Sequence, residues 1–180
     1  MKVYLFLLIF FPGICIASCY DMAAKRYGVD PLMIQAMAHV ESNENPGAIG
    51  LPLPDGNVAL GSMQINTVHL PDIAKYNISR EDLLDECTNI HLGAWQFSLH
   101  IKKFGKKWKA VGAYNTGAAS TNIEAQERYI NKVASAYEIL KNGGSLKNKR
   151  KIKRGTADHT AMPSAKELSS KLKIWNDDDE

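Results

Sequence analysis

One carboxylate stands apart in this 180-residue chain. Glu41 closes the apolar stretch that runs from Leu32 to Val40. It opens onto a segment, 43–57, carrying Pro46, Gly47, Gly50, Pro52, Pro54 and Gly56. An acid at the end of a buried helix and the mouth of a loop is partly desolvated, which raises its pKa towards neutrality. Such an acid can give its proton to the oxygen of a breaking glycosidic bond. Alone the signal is weak, because an isolated glutamate near a helix end is usually a surface residue. Three further strings follow along the chain: GSMQIN at 61–66, AYNTG at 113–117 and YINKV at 129–133. In general a saccharide offers hydroxyls and acetamides for side-chain amides to bond, and apolar faces for methionine and tyrosine to cover. Tyr129 also lies on an apolar helical face, where core packing competes with function, and Met63 could equally fill a gap. His39, His69, His91, His100 and His159 show no ligand spacing, so no metal or other cofactor is expected. His39 reads as a helix-packing residue.

Helices must do the positioning. Asp30-Pro31 is a helix start, with Asp30 as N-cap and Pro31 in the first turn. Ser79-Arg80-Glu81-Asp82 resembles a capping box opening a short helix. Thr88 or Asn89 is expected to cap a longer helix through Ile90, Ala94, Phe97, Ile101 and Phe104, closed by Gly105. Trp108–Tyr114 reads as a short helix broken by Asn115-Thr116-Gly117. A last helix is expected from about Asn122 to Leu140, with Tyr129, Ile130, Val133, Ala134 and Tyr137 at helical spacing. No convincing alternation appears, so the fold class is mainly α, with at most a small β-hairpin within 51–66.

The two ends of the chain differ from its middle. Lys2, the apolar run VYLFLLIFF and the small residues near Ala17 read as a secretory signal peptide over residues 1–17. As a membrane anchor the run is short, and Pro12 and Gly13 interrupt it. No later segment is apolar enough to span a bilayer, so the mature chain is expected outside the cytoplasm. Cys19 and Cys87 then remain, and two cysteines in an exported chain usually pair. A rival reading takes Ile16-Ala17-Ser18-Cys19 as a lipobox with lipid on Cys19. Residues 18–140 hold 11 Lys and Arg against 13 Asp and Glu, whereas 141–180 hold 10 against 6. The tail is therefore a basic appendage, expected to be disordered. Its run KNKRKIKR at 147–154 has no interleaved aromatics. That favours docking or attraction to a wall polymer over nucleic acid.

ESNENPGAIG at 41–50, followed in order by the three strings above, resembles the soluble lytic transglycosylase (SLT) domain over about residues 19–140. The resemblance implies a lysozyme-like fold of the goose type. It is strongest to the small specialised transglycosylases that accompany type III secretion, conjugation and type IV pilus systems. Cys19, Cys87 and Asp55-Gly56 ahead of GSMQIN support that subgroup. It implies Glu41 as the single catalytic acid/base, with Ser42 as a polar partner beside it. Met63 and Gln64 would line the sugar cleft, Tyr114 and Asn115 would floor it, and Tyr129 would stand near the carboxylate. The implied substrate is the peptidoglycan glycan strand, cut in the periplasm for an envelope-spanning machine, with a 1,6-anhydro product. Three positions depart from the family pattern: Ser62 stands where Leu is common, Gly50 where a hydroxyl is common, and Ala59 where many specialised relatives carry an acid. A hydrolytic lysozyme or chitinase on the same scaffold, and an inactive glycan-binding subunit, are the alternatives.

Overall fold

A computed structural model describes residues 17–146. The expected signal peptide, except its last residue, and the basic run lie outside the described residues. The first helix, α1 (Cys19–Tyr27), is one the sequence reading did not single out. Ser18 and Asp21 form its capping box, and Gly28 ends it in a left-handed conformation. Next comes α2 (Pro31–Ser42), capped by Asp30, whose carboxylate accepts the Leu32 N–H at 2.8 Å. Its Met33, Ile34, Met37 and Ala38 are buried, as an apolar helix at the centre of a small domain must be. Strands β1 (Ala59–Leu60) and β2 (Ile65–Asn66) form the small hairpin, antiparallel, with Ala59 opposite Asn66 and Leu60 opposite Ile65.

A short helix, α3 (Leu70–Ile73), follows between 3-10 turns at Thr67–His69 and Ala74–Tyr76. Ser79 and Asp82 do exchange capping bonds, at 2.8 and 3.3 Å, but the turn beside them, Glu81–Leu84, is 3-10. The long helix α4 (Glu86–Phe104) starts earlier than expected. Asp85, not Thr88 or Asn89, is its cap, accepting the Thr88 N–H at 2.8 Å. Helix α5 (Trp108–Thr116) runs through Asn115 and Thr116 and stops at Gly117, φ 84°. Helix α6 (Ile123–Lys141) begins at the expected cap, Asn122.

The helices wrap α2. It packs on α6, α1 and α4, while α5 fills the space between α4 and α6. A disulfide between Cys19 and Cys87, Cα atoms 5.2 Å apart, staples α1 to α4. A sulfur bonded to Cys87 has no valence left for the thioether a lipobox cysteine would carry. Packing also continues past the expected boundary at residue 140. Gly143 and Gly144 turn the chain back with N–H bonds to Leu140 and Ile139, and Leu146 is buried against the core.

Candidate active site

The site is built where α2 ends. Asn43 and Glu44 adopt successive left-handed conformations, φ 56° and 59°, which turn the chain sharply just after Glu41. Glu44 secures the turn from behind, accepting a bond from the Gln35 amide at 3.3 Å and lying 3.7 Å from His39 Nδ1. Ser42 ties the turn to the hairpin: its hydroxyl donates to the Ser62 carbonyl at 2.8 Å and accepts the Asn45 N–H at 3.0 Å.

The hairpin is pinned on α4 by Asn89, which is fully buried. Its Oδ1 accepts the Met63 N–H at 2.7 Å, and its amide donates to the carbonyls of Leu60 and Leu83 at 2.9 and 2.8 Å. The approach requires two glycines. A Cβ on Gly61, φ 75°, would come within 2.3 Å of the Asn89 amide nitrogen, and one on Gly93 would sit 2.7 Å from Met63. Gln64 adopts φ 48°, and its amide donates to the Gly61 carbonyl at 2.9 Å. From the other side, the Tyr114 hydroxyl on α5 donates to the Met63 carbonyl at 2.9 Å.

Glu41 is largely withdrawn from water, and desolvation pushes its carboxyl up to about 7. Two effects oppose that rise: the Tyr129 hydroxyl donates to Glu41 Oε1 at 2.7 Å, and the charge of Lys132 favours the carboxylate. Burial and the neighbouring Glu41 raise the Tyr114 and Tyr129 hydroxyls well above the usual tyrosine range, so both remain donors. The group can therefore hold a proton at neutral pH and release it within the same range, as a general acid that later acts as a base must do.

Glu41 opens into a cleft of about 810 Å³. Of the residues singled out in the sequence, Gln64, Tyr114 and Asn115 share its wall. Tyr129 stands behind Glu41 and does not line the cleft. Ser42 and Met63 do not line it either. The Ser42 hydroxyl is taken up by the hairpin, and Met63 is fully buried because Gly93 leaves a space that its side chain fills. The Met63 backbone is held by protein partners, its N–H by Asn89 and its carbonyl by Tyr114. Ala59 does line the cleft, and it brings no acid to the wall. Asp55 is exposed and bonded to Asn57 at 3.0 and 2.9 Å, bonds that hold its carboxyl below the usual range. The other carboxylate on the cleft wall is Asp72, exposed and paired with Lys75 at 3.0 Å.

Sequence reading missed one wall, formed by Trp95, Gln96, Leu99 and His100 on α4, with Val68 and His69 nearby. Its signal was present. Once Ile90, Ala94, Phe97 and Ile101 are assigned to the core, the adjoining rows at i+4 spacing are 95/99 and 96/100. It also missed Asn89, because an asparagine beside a helix start reads as a cap.

Residues 18–136 match the transglycosylase SLT domain family. The chain is 38% identical over 136 residues to the invasion protein IagB of Salmonella typhimurium, covering 74% of this chain and 84% of that protein. It is 36% identical to the X polypeptide of Escherichia coli over 144 residues, 78% and 85% of the two chains. Protein IpgF of Shigella flexneri is 29% identical over 145 residues, 80% and 95%. The fold matches an inactive mutant of the lytic transglycosylase Slt from Pseudomonas aeruginosa, with TM-score 0.54 and 22% identity. That match covers 71% of this chain and 24% of the larger one. With two thirds of its length inside the family's pattern and relatives of its own size, the chain belongs to the transglycosylase SLT domain family, among the small specialised lytic transglycosylases.

Proposed function

We propose that the protein is a lytic transglycosylase that cleaves the β-1,4 bond between N-acetylmuramic acid and N-acetylglucosamine in peptidoglycan, with Glu41 as its only acid/base. The observation that carries this reading is the state of Glu41: a carboxyl near pKa 7, in contact with a cleft and hydrogen-bonded by Tyr129. Protonated Glu41 gives its proton to the glycosidic oxygen as the C1–O bond breaks, and N-acetylglucosamine leaves with a free hydroxyl. The muramyl acetamide oxygen supports the positive charge at C1. The C6 hydroxyl of the same sugar then attacks C1, and ionised Glu41 takes its proton. The product is a 1,6-anhydro ring, no water is consumed, and Glu41 is protonated again. Ring closure within one sugar needs no second carboxylate to activate a nucleophile, because the nucleophile is already held nearby. Tyr129, donating throughout, fixes the carboxylate's direction and steadies its ionised form.

The same reading places the protein in the periplasm, with its leader removed and its disulfide formed there. Its relatives include a protein named for invasion, which favours a role in opening the wall locally for an envelope-spanning apparatus. The test is digestion of purified peptidoglycan, with mass spectrometry of the products. Anhydro ends are expected from the natural protein, and no cleavage from a folded Glu41→Gln protein. Reducing ends would identify a hydrolytic lysozyme. Near-normal turnover by Glu41→Gln would overturn the assignment of the acid.

A further inference from the structure

The corner joining α4 to α5 carries five lysines in eight positions: Lys102, Lys103, Lys106, Lys107 and Lys109. All five are exposed. They are nearly half of the 11 lysines and arginines in residues 18–140, and no Asp or Glu stands between Glu86 and Glu124. We propose that this corner is a membrane-docking surface, which holds the protein by charge against a bilayer containing anionic phospholipid.

Local structure accounts for little of the cluster. A helix C-terminus favours cations, which explains Lys102 and Lys103 in the last turn of α4. The dipole of α5 disfavours Lys109, which stands in the first turn of that helix. Ion pairing explains none of Lys102, Lys103, Lys106 and Lys109, which have no carboxylate partner among the described residues. The Asp30 carboxylate shares a hollow with Lys106, but it is engaged by the Leu32 N–H and the Tyr137 hydroxyl. Lys103 and Lys109 converge on one ring instead, with Nζ 5.4 and 5.1 Å from the centre of Phe104. Cations gathered without counter-charges repel one another, a cost that an anionic partner removes.

The kind of partner follows from the residues present. Every cation in the corner is a lysine, a flexible point charge, whereas recognition of a single carboxylate or phosphate favours the planar fork of arginine. No track for an acidic peptide joins them: the adjoining hollow, about 240 Å³, is lined by Lys106 alone of the five. A diffuse positive field at one end of the molecule suits a plane of headgroups, where each lysine strengthens binding about fivefold. Helix α4 sets the orientation. Glu81, Asp85 and Glu86 are exposed at and just before its other end, about 28 Å away along 19 residues, beyond the reach of charge in physiological salt. The lysine end is attracted while the acidic end is not repelled. His100, which lines the cleft, stands one helical turn before Lys103, so docking sets the cleft beside the bilayer.

That the bilayer bounds the periplasm rests on the reading above. The binding itself does not, so vesicles test it apart from cleavage. Protein purified after export, with its tail intact, is sedimented with vesicles of phosphatidylglycerol and phosphatidylcholine, and with phosphatidylcholine alone. Binding to the first only is expected, falling steeply as salt rises. Lys102→Gln, Lys103→Gln and Lys106→Gln together should weaken it about a hundredfold. Lys102→Gln with Lys106→Gln, which spares the Phe104 stack, should weaken it more than about tenfold, and decides the matter if the triple variant loses its thermal transition. Both variants should cleave soluble glycan fragments at the natural rate. Equal binding to the two vesicle types would overturn the docking surface. Undiminished vesicle binding by the variants would also overturn it, and a matching loss on purified sacculi would assign the corner to the wall polymer. Displacement from vesicles by inorganic phosphate at constant ionic strength would make the corner a discrete phosphate site and overturn it as well.

Discussion

At the scale of a residue, the behaviour of Glu41 is a balance in which desolvation outweighs one hydrogen bond and one nearby charge. The balance can be tilted. Tyr129→Phe removes a bond that favours the carboxylate, so the carboxyl pKa should rise from about 7 to a higher value. Activity limited by the protonated acid falls as pH climbs through that pKa. The alkaline limb of kcat/KM should therefore move to higher pH in Tyr129→Phe, while kcat drops because the carboxylate loses its orientation. An unmoved limb would mean that Tyr129 is only packing. Stability carries the same signature. A carboxyl raised in the folded state keeps a proton that the unfolded chain releases between pH 4.5 and about 7. Folding stability is thus lost as pH rises across that window. Glu41→Gln has no such proton to lose. It should match the natural protein near pH 4 and exceed it by on the order of 2 kcal/mol near pH 8 in thermal or urea unfolding. Ser62 offers a smaller test. Its hydroxyl is buried with no partner among the described residues, so Ser62→Ala should be neutral or stabilising by about 1 kcal/mol in the same assay.

At the scale of an element, the site depends on how the hairpin is held to α4. Asn89 supplies three buried bonds, to the Met63 N–H and to two carbonyls. Asn89→Ala would strand all three backbone groups, at about 1–3 kcal/mol for a buried unsatisfied group. The expected outcome is a marked fall in Tm and loss of cleavage, because the segment bearing Gln64 is no longer fixed. Full activity in Asn89→Ala would show that the hairpin is held by other means. This element also shows how far the chain could be read beforehand. Helix α2, its Asp30 cap and the acid at its end were legible, because period and capping are local signals. Helix α6 was legible for the same reason. The start of α4 was misread, because Asn89 belongs to a contact with Met63 across 26 positions, and no local pattern reports it. Met63 was misplaced for a related reason. The position suits a cleft, but the side chain goes where Gly93 leaves room, and that pairing exists only in three dimensions. The α4 wall was hidden by the core row beside it, since one helix shows periodicity for burial and for function at once.

At the scale of the whole molecule, two contacts hold the ends of the described residues: the disulfide near one end and buried Leu146 at the other. The disulfide closes 68 residues of chain, worth about 4 kcal/mol in the chain-entropy view, so replacing Cys19 and Cys87 by serine should lower stability by a few kcal/mol. Leu146 is the contact at the other end. Gly143 and Gly144 bend the chain so that Leu146 reaches the core, and the basic run starts immediately after it. A chain ending after Leu146 should therefore unfold at the same temperature as the full protein and cut soluble glycan fragments equally well. One ending after Leu140 should lose the burial of Leu146, about 1.5–3 kcal/mol, and the turn that directs it. The basic residues at 147–154 are expected to act on a different substrate. Intact sacculi are anionic polymers, and a cluster of six lysines and arginines is drawn to them by a force that salt screens over about 8–10 Å. Removing it should reduce cleavage of sacculi at low salt, and the difference should vanish at high salt. Equal rates on sacculi at both salt concentrations would assign the run no part in reaching the wall. A collapse of activity on soluble fragments after the cut at Leu146 would mean that the catalytic unit extends into the tail.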